Sequence, residues 1–252
     1  MRPVFSMTQG KITLSPLVFD DIGIQDAAKK VLVLAKNRQG GFVVTPNGVM
    51  AMHAIESLSF SALLQKATLT LPDGVGITAA ARLLKTPFLH GRVTGVSLGE
   101  EVLRLAAKEK LSVFFLGGRQ GVAQAAAKKM KDRYPSLLVA GCHHGYSLGL
   151  PTVKIIQKSG ADILFCCLGS PKQEAFAERL SQTLTCPILC LGGSLDVYAE
   201  KVKRAPEFVQ TLGCEWLWRT LLEPRRAARL PALLSFSLII FQRSAKKLLH
   251  SD

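Results

Sequence analysis

The chain has 252 residues, 48% hydrophobic and 20% charged, which is ordinary globular material for one substantial core or a core plus an appendage. Its formal net charge of +14 points to an anionic partner: nucleic acid, a nucleotide or phosphorylated substrate, or an anionic membrane surface. No apolar core follows Arg2, which argues against a signal peptide, and the longest apolar stretch, Leu230 to Phe241, falls short of the ~20 residues of a spanning helix. A chain without either is expected to face the cytoplasm.

In chain order, Lys11 to Phe19 reads as a short extended segment. Ile24 to Asn37 carries a helical stripe of Ala27, Ala28, Val31, Leu32, Leu34 and Ala35, closed by Gly40-Gly41. Phe42-Val43-Val44 reads as a buried strand ending in Thr45-Pro46-Asn47-Gly48, with helix from Val49 to Leu64. The next unit is a strand from Ala67 to Leu71, the turn Pro72-Asp73-Gly74, and a helix from Ile77 to Leu84. A basic loop, Lys85 to Arg92, leads to a helix near Leu98 to Lys108. Val113 to Leu116 is a strand ending in Gly117-Gly118-Arg119-Gln120-Gly121, followed by a helix to about Tyr134. Leu137 to Ala140 is a strand ending in Gly141-Cys142-His143-His144-Gly145. Ile163 to Leu168 ends in Gly169-Ser170-Pro171-Lys172-Gln173-Glu174, and Ile188 to Leu191 ends in Gly192-Gly193-Ser194-Leu195-Asp196.

Strand, polar or glycine-rich turn, helix thus recurs six times, with strands that are continuous apolar runs. That is the pattern of an α/β fold: a Rossmann-like, mostly parallel sheet sandwiched by helices, joined by right-handed crossovers. All six turns fall on one edge of the sheet, where open α/β sheets bind ligands. After Asp196 no further unit appears. Residues 1–200 read as the α/β core and 201–252 as a basic helical appendage, cut into short helices by Pro206, Pro224 and Pro231.

Asp73 stands at the carboxyl end of its strand, held between Pro72 and Gly74, where a carboxylate can act as a general base. Asp before a helix is equally a common N-cap, and the local residues leave both readings open. Gly117 and Gly118 suit a phosphate cradle at a helix N-terminus, although Gly117-Gly118-x-x-Gly121 is not the full dinucleotide fingerprint. Ser170 is a candidate N-cap with Pro171 in the first helical turn, which leaves Gln173 unexplained. Thr45 and Asn47 offer a hydroxyl and an amide at another strand end, to a ligand or to a helix cap. No Asp-x-Asp pair occurs, which argues against a metal-bound pyrophosphate. The charge of a leaving diphosphate then falls to arginines and helix N-termini, and Arg219, Arg226 and Arg229 would share a face on one continuous helix. The cysteines (Cys142, Cys166, Cys167, Cys186, Cys190 and Cys214) have no Cys-x-x-Cys spacing and read as reduced buried thiols. Cys142-His143-His144 lacks a second ligand pair and is not read as a metal site.

Taken together these turns resemble the TagA/WecG/CpsF glycosyltransferase family. The matching residues are Val44-Thr45-Pro46-Asn47, Leu71-Pro72-Asp73-Gly74, Arg92-Val93-Thr94-Gly95 and Phe115-Leu116-Gly117-Gly118. Tyr134-Pro135, His144-Gly145-Tyr146, Gly169 to Glu174 and Gly192 to Asp196 follow, then Lys203-Arg204-Ala205-Pro206, Glu215 to Arg219 and Glu223 to Arg226. Ala199-Glu200 and Cys214 depart from the family pattern, away from Asp73. The resemblance implies the GT-E type of sheet and an inverting, metal-independent enzyme without a cofactor. It implies transfer of N-acetylmannosamine from UDP to undecaprenyl-diphosphate-linked N-acetylglucosamine, forming a β-1,4 linkage in wall teichoic acid or related glycan synthesis. It implies Asp73 as the base, Thr45, Asn47, Arg92 and Gln173 in substrate binding, and Arg219, Arg226 and Arg229 closing over the diphosphate. The turns with Gly117, Gly118, Gly169, Ser170, Gly192 and Gly193 are candidate diphosphate or nucleotide contacts.

The resemblance also implies a peripheral membrane protein on the inner face of the cell membrane, active as a monomer, with a homo-oligomer as an option where membrane is absent. Leu230 to Phe241, flanked by Arg225, Arg226, Arg229, Arg243, Lys246 and Lys247, fits the lipid interface, or else a core or dimer helix. A uronic acid form of the sugar, or another UDP-hexose, is the alternative donor. From other classes, a dinucleotide-binding oxidoreductase would use the Gly117-Gly118 turn. A nucleic-acid module is disfavoured by an aromatic content of 7% with no basic-aromatic stripe.

Overall fold

The structure, a computed structural model, describes residues 7–8, 10–206, 208–209, 213 and 215–249. The segment expected to be simply extended is a hairpin. Strands β1 (Met7–Thr8), β2 (Lys11–Leu14) and β3 (Leu17–Asp20) pair antiparallel, turning at Ser15-Pro16 between β2 and β3. Helix α1 (Ile24–Lys36) follows, then β4 (Phe42–Val44).

The run expected to be one helix, Val49 to Leu64, is two: α2 (Gly48–Glu56) and α3 (Leu58–Gln65). Ser57 breaks it, adopting an extended backbone and capping α3 by accepting from Phe60 N at 3.2 Å. Next come β5 (Leu69–Thr70), α4 (Val75–Leu83), α5 (Gly95–Glu109), β6 (Ser112–Gly117) and α6 (Val122–Arg133). Strand β7 (Leu138–His143) runs through Gly141, Cys142 and His143, residues expected in a turn, because they pair in register with Phe114, Phe115 and Leu116 of β6. Helix α7 (Leu150–Ser159), β8 (Ile163–Cys167), α8 (Lys172–Ser181), β9 (Ile188–Cys190) and α9 (Ser194–Tyr198) complete the core.

Six strands form one sheet in the order β5-β4-β9-β8-β6-β7, every pair parallel. Strand β6 shows why its sequence is apolar throughout. Val113 and Phe115 face a core shared with α1, α5 and α6, while Phe114 and Leu116 face a second core shared with α2, α3, α4 and α8. Successive side chains of a strand point to opposite faces, so both sets must be apolar when helices cover both. Phe114, Phe115 and Phe165 are fully buried, each contributing about 1.5–3 kcal/mol of transfer free energy.

After the core, the chain forms a helix over Glu215–Leu222, a 3₁₀ segment over Pro224–Arg229 and a C-terminal helix over Leu230–Leu249. Expected short helices are therefore joined by a 20-residue one, since Pro231 falls in its first turn, where a missing N–H costs nothing. Phe236 and Ile240 bury one face of that helix in the second core, against α2 and α4. Leu234, Leu238 and Phe241, at 71%, 59% and 66% exposure, form a stripe on the opposite face. No helix among the described residues is long and apolar enough to cross a membrane.

Candidate active site

The loops at the carboxyl ends of the strands are joined to one another in sheet order. Leu71 N donates to Val44 O at 2.9 Å and Asp73 N to Pro46 O at 3.0 Å, which ties the turn after β5 to that after β4. Val93 N donates to Pro72 O at 2.8 Å, bringing the Arg92 segment to the same turn. Gly95 lies against Thr45 Oγ1 and Leu191, so α5 begins where the β4 and β9 turns meet. Gly145 N donates to Gly118 O at 3.0 Å and closes the far end, between the β7 and β6 turns.

Asp73 is partly buried and stands just before the cap position: Gly74, with φ of +83°, is the N-cap residue of α4. A positive φ suits glycine there, and the backbone reverses immediately after the carboxylate. Thr45, 8% exposed, has its hydroxyl wedged against Gly95. Asn47 caps α2, its Oδ1 accepting from Val49 N at 3.0 Å and Met50 N at 3.2 Å. Arg92 is partly buried beside Pro72 through its neighbour Val93. Thr45, Asn47, Asp73 and Arg92 therefore belong to one loop cluster. The N-termini of α2, α4 and α5 open from it, and the positive ends of their dipoles favour negative charge there.

Gln173 lies elsewhere on the same edge and is 3% exposed. Its Oε1 accepts from Gly169 N at 3.2 Å and Gly192 N at 2.9 Å, clamping the β8 turn to the β9 turn. Its Nε2 donates to Glu174 Oε1 at 2.7 Å, which sets the amide in that orientation. Glu174 is wholly buried and its Oε2 has no hydrogen-bond partner. Burial pushes the Glu174 carboxyl above its ordinary range, opposed by hydrogen bonds from Gln173 and Ser170 and by nearby His53. Ser170 is exposed and is not the N-cap; Pro171 occupies that position, one residue later than expected, and α8 begins at Lys172.

The glycine turns are spread along the edge. Strand β6 is four strands from β5, about 19 Å at ordinary strand spacing, so Gly117 and Gly118 lie toward the other end of the edge from Asp73. Gly117 is glycine for a packing reason as well, because a Cβ there would come within 2.2 Å of Cys167 O. Gly192 and Gly193, after β9, lie two strands from β5.

The three appendage arginines do not share one helix, since Pro224 starts a 3₁₀ segment after Leu222. Arg226 and Arg229 lie in that segment at a spacing of three, where 3₁₀ side chains eclipse. Arg226 pairs with Glu223 at 3.0 Å. The side chain of Arg219 lies outside the described residues. Of the basic residues flanking the apolar stretch, Arg243 donates to Ser15 O at 2.6 Å and Lys247 to Leu84 O at 2.7 Å, so both are used on the core.

Sequence reasoning missed the residues behind the cluster. Asp20 Oδ2 accepts from Thr70 N at 2.9 Å and fixes the strand that carries Asp73. Asp21, 7% exposed, accepts from Leu89 N at 2.9 Å and His90 N at 3.1 Å and anchors the loop leading to Arg92. The visible signal was an Asp-Asp pair ending an alternating strand in a strongly basic chain. Among the described residues no three His, Cys, Asp or Glu side chains are grouped to hold a metal, and Cys142, Cys166, Cys167, Cys186 and Cys190 are free thiols. Burial raises the Cys142 and Cys186 thiols to about 11 each.

The chain is 30% identical over 210 residues to the N-acetylglucosaminyldiphosphoundecaprenol N-acetyl-beta-D-mannosaminyltransferase of Bacillus subtilis, covering 82% of each chain. It is 33% identical over 194 residues to the enzyme of the same name from Bacillus spizizenii, covering 76% of this chain and 75% of the other. Against the Staphylococcus aureus enzyme of that name, identity is 31% over 228 residues, covering 88% and 89%. The model of the glycosyl transferase WecG/TagA/CpsF family matches residues 12–249, which contain every strand of the parallel sheet, and the chain belongs to that family.

Proposed function

We propose that the protein transfers N-acetylmannosamine from UDP to the N-acetylglucosamine of a polyprenyl-diphosphate lipid, with inversion. The observation that carries this reading is the loop cluster holding Asp73, Thr45, Asn47 and Arg92 at three helix N-termini, in a chain similar over most of its length to enzymes named for that transfer. Asp73 accepts the proton of the acceptor hydroxyl as its oxygen attacks the anomeric carbon of the donor. The bond from that carbon to the UDP oxygen breaks on the opposite face, and UDP leaves with the electron pair. The developing diphosphate charge meets the helix N-termini and the appendage arginines Arg219, Arg226 and Arg229. Arg92, Thr45 and Asn47 orient the reacting sugars. Gln173 acts from behind, keeping the β8 and β9 turns in register.

The appendage, residues 201–252, is proposed to close the site and to dock on the membrane. The exposed stripe Leu234, Leu238 and Phe241 enters the acyl boundary, and basic side chains meet anionic headgroups on the inner face of the cell membrane. The product is then an early intermediate of wall teichoic acid or a related surface glycan.

The test is incubation with a soluble lipid-diphosphate N-acetylglucosamine analogue and a panel of UDP-sugars, following UDP release and product mass. UDP-N-acetylmannosamine alone is expected to give a disaccharide lipid. Preference for the uronic acid donor would change the sugar assigned here, and release of UDP with no donor of the panel would reject the reading.

A further inference from the structure

Between α9 and the helix Glu215–Leu222, one side chain touches both the core and the appendage. Arg204, with a side chain 28% exposed, donates from Nη1 to Glu100 Oε2 at 3.2 Å and from Nη2 to Ser97 Oγ at 2.7 Å. Its Nε is buried, makes no hydrogen bond, and faces Glu215 Oε1 at 4.0 Å. Glu100 is itself held by Arg133 of α6. Two nitrogens bonded in different directions, with the third facing a carboxylate, suit a rigid fork, which a lysine ammonium on a flexible stem does not provide.

The contact on Ser97 leads into the site. Ser97 Oγ lies 2.9 Å from Thr94 Oγ1, which caps α5 by accepting from Ser97 N at 3.2 Å. Thr94 sits two residues after Arg92, and its neighbour Gly95 packs on Thr45 Oγ1. On the other wall, Gly213 packs on Val75, the first residue of α4, so closely that a Cβ would come within 2.8 Å of Val75 Cβ. Val75 is two residues beyond Asp73. Gly213 thus lies against the start of α4, while Arg204 links Glu215 to Ser97 and Glu100 of α5.

We infer that Arg204 is a positioning residue for the proposed transfer, and that its pairing with Glu215 sets where the arginine-bearing appendage sits relative to Asp73. This rests on the transfer reading, because the appendage matters to turnover only if its arginines meet the leaving diphosphate. The sequence marks Arg204 only as part of the Lys203-Arg204-Ala205-Pro206 match; its partial burial and its two carboxylate neighbours give it a role.

The experiment compares Arg204→Lys, Glu215→Gln and the double variant by hydrogen exchange and by transfer kinetics. Amides of residues 216–222 should exchange up to about fivefold faster in each variant, the factor expected for a partly buried ion pair. Amides of β6 and β8 should keep wild-type protection, which shows that the core is folded. The turnover number should fall by a similar factor with the KM for the UDP-sugar unchanged, and the double variant should be no worse than the worse single one. Unchanged exchange over 216–222, or losses that multiply in the double variant, would overturn the inference. If the wild-type protein transfers no sugar at all, the exchange result still decides whether the Arg204–Glu215 pair holds residues 216–222, and only the transfer reading falls.

Discussion

The amide of Asp73 donates to the carbonyl of Pro46 across 3.0 Å. With this bond the catalytic candidate is tied to the backbone of the neighbouring turn, which carries Thr45 and Asn47. Asp73→Asn keeps the shape and that amide bond and removes only the basicity. Turnover should drop by about 10²–10⁴, the usual share of a general base. The affinity for UDP, measured by calorimetry, should change by less than about twofold, within the additivity error of an uninvolved site. Turnover near the wild-type rate would take the proton-accepting role away from Asp73.

A second relationship, Gln173 Oε1 shared between Gly169 N and Gly192 N, predicts a different signature. Gln173→Ala leaves both amides and Glu174 Oε1 without their partner in a buried place, at about 1–3 kcal/mol for each group that water cannot reach. The melting temperature should fall by several degrees and both kinetic constants should worsen together, since two turns are loosened at once. A variant with wild-type melting and only a raised KM would make Gln173 a direct ligand.

Glu174 gives a pH dependence whose sign is fixed by burial. Its carboxyl is raised in the folded protein, chiefly by desolvation, so between the unfolded and folded values the native state binds more protons than the unfolded one. Stability must therefore decline as pH rises through that window. Glu174→Gln keeps an acceptor for Gln173 Nε2 and has no charge to bury. The variant should melt like the wild type at about pH 4, near the ordinary carboxylate value, and increasingly above it toward neutrality. Melting curves collected across that range check this, and a constant difference at all pH values would remove Glu174 as the cause.

The parallel sheet was legible because six short apolar runs each stopped at a polar turn before a helical pattern, as strands covered on both faces do. The grouping of Thr45, Asn47 and Asp73 was legible for a related reason, since strand ends of a parallel sheet share one edge; Arg92 follows a helix, and only the family resemblance pointed to it. What sequence could not supply was lateral order. Placing β9 between β4 and β8 separates Gly117 and Gly118 from Asp73 by most of the sheet's width, although their turns look alike in sequence. Nor could periodicity show that a 3₁₀ segment at Pro224 breaks the alignment of Arg219 with Arg226 and Arg229, or that Asp20 and Asp21 brace the cluster from a hairpin some fifty residues upstream of Thr70.

The C-terminal helix carries the last prediction. Its inner face, Phe236 and Ile240, packs on the helices that begin at the site, while Leu234, Leu238 and Phe241 point outward together. Replacing these three by serine removes apolar side chains, each worth about 1.5–3 kcal/mol when fully buried, so vesicle partitioning should weaken by about fortyfold or more even if insertion is half complete. Melting temperature and turnover on a short-chain soluble acceptor should stay at wild-type values, because the stripe touches neither core nor loop cluster. Salt should matter less than the basic count suggests. Arg243 and Lys247 donate to Ser15 O and Leu84 O, so they add less than the ~1 kcal/mol that a headgroup-facing cation contributes. Co-sedimentation with anionic vesicles at low and physiological salt measures both effects. Undiminished binding by the serine variant would move the membrane contact away from this helix.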